Sequence, residues 1–153
     1  MFRSPIRRRS DGTYRFQIPE AYRELVRHVV EADLRPGLTT DDPDLHRLFP
    51  PAYGEDDDRN AGYAALAGRE LVDRRLAATD TVLETLHSER LTREQLEAWM
   101  RTINDARLVL ATRIGIEDEE PAELDDETSE SAELNWYQHL SALLELIVRA
   151  LSD

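Results

Sequence analysis

Four histidines are the only imidazoles available for acid–base or metal chemistry: His28, His46, His87 and His139. No two of them have the H-E-x-x-H spacing that places two zinc ligands and a general base on one helix face. Glu84 and His87 do form the Glu-x-x-His unit used in di-iron carboxylate bundles. That chemistry needs two such units and two further glutamates aimed into one core, so a single unit is expected only to cap a helix end. Asp56, Asp57 and Asp58 with Gly54 suggest a calcium loop, but the alternating oxygen pattern and the closing glutamate are missing. These aspartates are expected to favour the positive N-terminus of the helix that follows. Among 32 acidic residues no spacing singles out a general acid and a general base. With no glycine-rich phosphate loop, serine elbow or kinase signature either, the expectation is no catalytic residue, no metal and no cofactor.

Composition narrows the chemistry further. The chain has no cysteine, which excludes disulfides, thiolate nucleophiles and iron–sulfur clusters within it. All 19 basic residues are arginine, so Schiff-base chemistry and a P-loop lysine are excluded too; the bland cause is codon usage in a GC-rich genome. A net charge of −13 opposes a phosphate backbone, and direct DNA binding is not expected. No apolar run approaches the roughly 20 residues of a membrane span. The N-terminal arginines have no apolar segment behind them, so no secretory signal is read and a cytoplasmic location is expected.

Two groups of polar residues remain as candidates. Arg3, Arg7, Arg8, Arg9 and Arg15 make the N-terminal region the one basic stretch. Charges there would protect an exposed strand edge from aggregation or receive an anionic or acidic protein surface. Asn104, Asp105 and Arg107 lie on or beside the apolar face of a long helix. A guanidinium at such a place must be paired, so a structural polar core is expected, with Arg107 bridged to a carboxylate.

The elements that position these residues read as a mainly α single domain over 1–153, a bundle of about five helices behind a short N-terminal β-hairpin. Residues 2–9 and 13–18 flank Asp11-Gly12, a pair suited to a tight turn, and Tyr14, Phe16 and Ile18 alternate with polar residues. Pro5 makes the first strand an edge. Pro19 opens a helix striped with Ala21, Tyr22, Leu25, Val26, Val29 and Val30, which Pro36-Gly37 is expected to end. A short helix over 41–49 follows. Residues 59–87 read as one kinked rod or as two helices broken at Gly68. The strongest element is Leu91–Gly115, with a capping box of Thr92 and Gln95. Its stripe of Leu96, Trp99, Ile103, Ala106, Leu110 and Ile114 closes on Gly115. Residues 117–131 carry nine carboxylates and no base, a solvated, flexible acidic loop. Taking those nine from −13 leaves about −4 for the rest of the chain. The last helix, about 131–151, is apolar almost all round, which makes it a central helix or a homodimer contact.

The segments IPEAYRELV, DLHRLFPPAY, RELVDRRLAA, WMRTINDARLVLATRIGI and WYQHLSALLELIVRAL resemble the actinobacterial domain-of-unknown-function 2017 family, which includes an oxidative-stress regulator. The resemblance implies a non-enzymatic cytoplasmic regulator or adaptor whose partners are proteins, in particular a stress sigma factor and RNA polymerase. It also implies a redox switch built on an intramolecular disulfide, which this cysteine-free chain cannot form. The alternative is a small helical enzyme or ligand-binding module. Its pocket would lie between the last two long helices, lined by Trp99, Arg107, Trp136, Tyr137 and His139.

Overall fold

A computed structural model describes residues 4–39, 58–115 and 129–152, and the architecture is mainly α with a small antiparallel sheet at the N-terminal end. Strand β1 (Ile6–Arg8) pairs with β2 (Tyr14–Phe16) in the register Ile6 to Phe16, Arg7 to Arg15 and Arg8 to Tyr14. The turn is closed by Arg9 N–H donating to the Thr13 carbonyl at 2.7 Å. Gly12 sits at φ +89°, a conformation that a side chain would oppose. A third strand, β3 (Arg90–Leu91), adds to β2, so the order is β1-β2-β3 with β1 at an edge. Two residues are too few to show alternation, which is why this strand is invisible in the sequence.

Helix α1 (Glu20–Val29) does not stop before Pro36 as the sequence suggests. It widens into a π-helical turn over Val30–Leu34 and runs on as α2 (Arg35–Thr39). The Arg35 N–H bonds the Val30 carbonyl five residues back, and this wider winding lets a helical path pass a residue that has no N–H and a bulky ring. Helix α3 (Asp58–Glu84) passes through Gly68 as one rod; a single glycine costs only about 1 kcal/mol, little for a helix of this length. The helix expected over 41–49, the Asp56–Asp57 pair and most of the acidic loop lie outside the described residues.

Helix α4 (Arg93–Ile114) starts and ends as its sequence indicates. Thr92 Oγ1 accepts from the Gln95 N–H at 3.1 Å, the Gln95 side chain accepts from the Thr92 N–H at 2.9 Å, and Gly115 is left-handed at φ +72°. Helix α5 (Ser129–Ser152) runs back along it, since Arg93 at the start of α4 reaches the Leu151 carbonyl near the end of α5. In the core to which both contribute, Leu96, Trp99, Ile103, Leu110, Leu140, Leu143 and Ile147 are buried to 1% exposure or less. Ile6, Tyr14, Phe16 and Leu91 cover one end of this core from the inner face of the sheet. Among the described residues no helix is long and apolar enough to cross a membrane.

Candidate functional site

The sheet presents a basic outer face, and strand register explains why. With Tyr14, Phe16 and Leu91 turned inward, pleating turns Arg7, Arg15 and Arg90 outward, and pairing sets Arg7 beside Arg15 and Arg15 beside Arg90. Of the hairpin arginines, Arg8, Arg9 and Arg15 are exposed and Arg7 is half-buried. Arg9 lies 3.9 Å from Asp11. The Asp11 carboxyl is held below the usual carboxylate range, mainly by hydrogen bonds from Thr13 and further by Arg9 and Arg90. Arg3 lies outside the described residues.

A buried arginine that the sequence reading missed fastens this end of the fold. Arg23, 6% exposed, projects from α1 and donates to the carbonyls of Leu86 at 2.5 Å, Phe16 at 3.1 Å, Ser88 at 3.2 Å and Ile18 at 3.3 Å. Its guanidinium also stands 5.3 Å from the centre of the Phe16 ring. The fork ties the chain leaving β2 to the turn leaving α3, and so delivers Glu89–Leu91 alongside β2, where Phe16 N–H donates to the Glu89 carbonyl at 2.8 Å. Its one sequence signal is spacing: Arg23, Val26, Val30 and Leu34 share a helical face. Trp99 packs edge-on against Phe16 at 4.7 Å and donates its indole N–H to Thr85 Oγ1 at 2.8 Å.

At the α3–α4 interface the expected polar residues fall as follows. Asp105 is buried and paired with Arg75 of α3. Burial pushes its carboxyl above the ordinary carboxylate value, with Arg75 pulling the other way. Arg107 meets no carboxylate among the described residues, contrary to the expected bridge. It donates to Asn104 Oδ1 at 3.1 Å and lies over the Tyr137 ring at 5.7 Å. Two residues are about 200° of helix rotation, so Asp105 and Arg107 face different neighbours. A cleft of about 340 Å³ opens here, lined by Arg74, Arg75, Arg101, Asn104 and Asp105. Two more pairs brace the rods: Arg113 with Asp33, and Arg35 with Asp80 and Thr79, both at 2.6 Å.

The pocket imagined between the last two long helices has a different geometry. Trp99 is fully buried, Trp136 and Tyr137 are half-buried, and His139 is exposed and turned to the Asn135 carbonyl at 2.7 Å. A shallow cleft of about 290 Å³ lies instead between α1 and α5, beside Tyr22, Leu25, Trp136 and His139. The Glu84-x-x-His87 unit is split, because α3 ends at Glu84 and His87 leaves in the turn beyond it. His87 meets Glu20 at 3.1 Å. Glu20, Glu24 and His87 bring oxygen and nitrogen atoms within 4.8 Å of one another. All three are exposed, and Glu24 is already held by Arg27 at 2.7 Å, so nothing further there points to an ion.

Comparison with known proteins gives two kinds of match. The chain is 31% identical over 134 residues to proteins named oxidative stress regulator AosR from Mycobacterium bovis and Mycobacterium tuberculosis, covering 76% of this chain and 60% of theirs. It is 30% identical over 128 residues to a putative oxidative stress regulator AosR of Mycobacterium leprae, covering 72% of this chain and 59% of that one. The chain thus spans about 60% of the length of these curated relatives. No solved structure matches it significantly. Residues 3–151 match the family described as Domain of unknown function (DUF2017), and the chain belongs to that family.

Proposed function

We propose that this chain is a non-enzymatic regulatory protein of the cytoplasm that works through contacts with a protein partner, a stress sigma factor or RNA polymerase being the candidate. The relatives named as oxidative stress regulators support a regulatory role. One observation supports protein contact over catalysis: the core to which α4 and α5 both contribute is filled, with Ile103, Leu110, Leu140, Leu143 and Ile147 buried to 1% exposure or less. Without cysteine the chain itself has no disulfide to switch, so stress sensing through its own thiols is not part of the proposal. The hairpin arginines are its contact surface. Affinity capture from the native cytoplasm with wild-type protein and an Arg7/Arg8/Arg9→Ala variant tests it. Recovery of a polymerase component or sigma factor by wild type and its loss in the variant is the expected result. Recovery with neither overturns the reading.

The α3–α4 cleft favours a second reading, a module that binds a small anion between Arg74 and Arg101. A melting point raised by millimolar phosphate or citrate, and unresponsive in Arg74→Ala/Arg101→Ala, would support it. An unchanged melting point would remove it.

A further inference from the structure

The edge of the sheet at β1 is one wall of a groove, and helix α5 is the other. Among the described residues β1 has a neighbouring strand on one side only. The ladder decides which of its main-chain groups face outward. Arg9 N–H donates to the Thr13 carbonyl at 2.7 Å and Gln17 N–H to the Pro5 carbonyl at 2.8 Å, while Phe16 N–H turns the other way, to Glu89. Antiparallel strands alternate hydrogen-bonded and non-bonded pairs, so the main chain of Arg7 faces Arg15, and the main chains of Ile6 and Arg8 face the edge. There the Ile6 N–H is held by the Ser4 hydroxyl at 3.3 Å, a long bond that an incoming carbonyl can replace.

Helix α5 packs against β1, and the groove between them has a volume of about 750 Å³. Leu146 and Val148 give it an apolar wall, and Val148, at 43%, is the large apolar side chain left exposed among the described residues. Arg7, Arg8 and Arg149 also line it, with no acid beside them in the lining among the described residues. Arg149 is held by Glu145. Arg7 makes no ion pair among the described residues, and its Nε is buried without a hydrogen-bond partner. Pleating sorts these features, because Ile6 lies on the inner face with α5 and Arg7 on the outer one. A strand laid antiparallel along β1 therefore sets every second side chain against Leu146 and Val148, and those between beside Arg7.

We infer that the groove between β1 and α5 binds an extended peptide in which apolar and acidic residues alternate, taken up as a fourth, antiparallel strand of the sheet. Charges that merely guard an edge against aggregation would account for the arginines, but not for the exposed valine lining the same groove. The inference rests on the proposed reading of the hairpin arginines as a protein contact, and adds the shape and chemistry of what they receive. Strand β1 is three residues long, about 10 Å at 3.4 Å per residue. The contact is accordingly short, weak and salt-sensitive.

Fluorescence anisotropy tests it, with a labelled peptide of about eight alternating glutamates and valines titrated with the whole chain. Saturable binding is expected below about 1 mM. It should weaken roughly tenfold or more with lysine in place of the glutamates, and likewise in the variants R7E and V148D, each with the far-UV spectrum and melting point of wild type. Main-chain pairing has its own signature, which needs no variant of the protein. The residues set opposite Ile6 and Arg8 are the valines, whose N–H groups then point at β1. N-methylation at the valines should abolish binding, and N-methylation at the glutamates should leave it within about threefold. Absence of saturation at about 1 mM chain overturns the inference. So does binding that survives methylation at the valines, or a folded variant that binds as wild type does. Affinity capture separates this from the regulatory reading. A chain that recovers a sigma factor or polymerase component yet ignores the peptide keeps that reading and overturns this inference; one that binds the peptide yet recovers neither supports the inference and overturns the reading.

Discussion

Replacing Arg23 by methionine keeps most of the apolar stem and removes every donor, which isolates the contribution of its fork. Four carbonyls lose a partner, those of Phe16, Ile18, Leu86 and Ser88. The contacts to Ser88 lie nearer the surface, and that carbonyl can turn to water. If two of the remaining carbonyls stay dry, each costs about 1–3 kcal/mol. Removing a charge from a site that is 94% buried gives part of that back. The balance is a loss of about 2–4 kcal/mol, against a total stability of about 5–15 kcal/mol for a domain of ordinary stability. With a urea slope of about 2 kcal/mol/M, the midpoint should fall by about 1–2 M. Arg23→Lys should fall between the two, because a compact ammonium cannot span four carbonyls on two segments of chain. Urea melts followed by far-UV dichroism and by tryptophan fluorescence read both variants. A methionine variant with the wild-type midpoint would refute the reasoning, showing that the carbonyls are satisfied without the arginine and that β3 is held beside β2 by something else.

Trp99→Ala should cost on the order of 3–5 kcal/mol through lost burial, a cavity and the lost hydrogen bond to Thr85; an unchanged denaturation midpoint would mean that the inward face of α4 has been misassigned. Asp105 gives a pH test. Its folded carboxyl holds a proton to higher pH than the ordinary 3.8 of the unfolded chain, so stability falls as pH rises above that value and levels off once both forms are ionised. Asp105→Asn removes this dependence, and the difference between variant and wild type should therefore move in the variant's favour between pH 4 and pH 7 in parallel urea melts. Thr92→Ala should cost about 1 kcal/mol by opening the capping box of α4, measurable as a midpoint shift, while Gln95→Ala should cost less because the hydroxyl acceptor survives.

Helix α4 was legible because its cap, its stripe and its terminating glycine are local signals that agree, and every stripe position from Leu96 to Ile114 is buried. The end of α1 was not legible. Pro36 is a valid stop signal against an α-helical winding, and only the neighbouring core, which buries Leu34, Gly37 and Leu38, makes a π turn worth forming. Helix α5 looked apolar on all sides, yet Leu140, Leu143, Ile147 and Ala150 form its buried face and Val148 is 43% exposed. Which side faces α4 is a matter of tertiary rotation. The same limit explains Arg107: its helix can be read from sequence, but the azimuth of α3 that brings Arg75 to Asp105 cannot.

Arginine 23 was missed for a different reason, and that reason bears on where this protein makes contact. An arginine on a helix is ordinarily read as solvated, so its place on the Val26–Val30–Leu34 face was outweighed by its charge. In the fold the arginines divide into two kinds. Arg23, Arg75 and Arg113 reach across between elements, to carbonyls or to acids, and the planar guanidinium with five donors suits that use in a way an ammonium does not. Arg7, Arg15 and Arg90 are aligned by strand pairing, and none of them makes an ion pair among the described residues. The first kind explains why the sheet forms where it does, since the Arg23 fork positions the chain that supplies Arg90. The second kind is what the sheet then displays. A substitution at Arg23 should therefore weaken any contact made through the row even though Arg23 is itself buried, whereas Arg90→Ala should weaken that contact and leave the folding midpoint within about 0.5 kcal/mol of wild type.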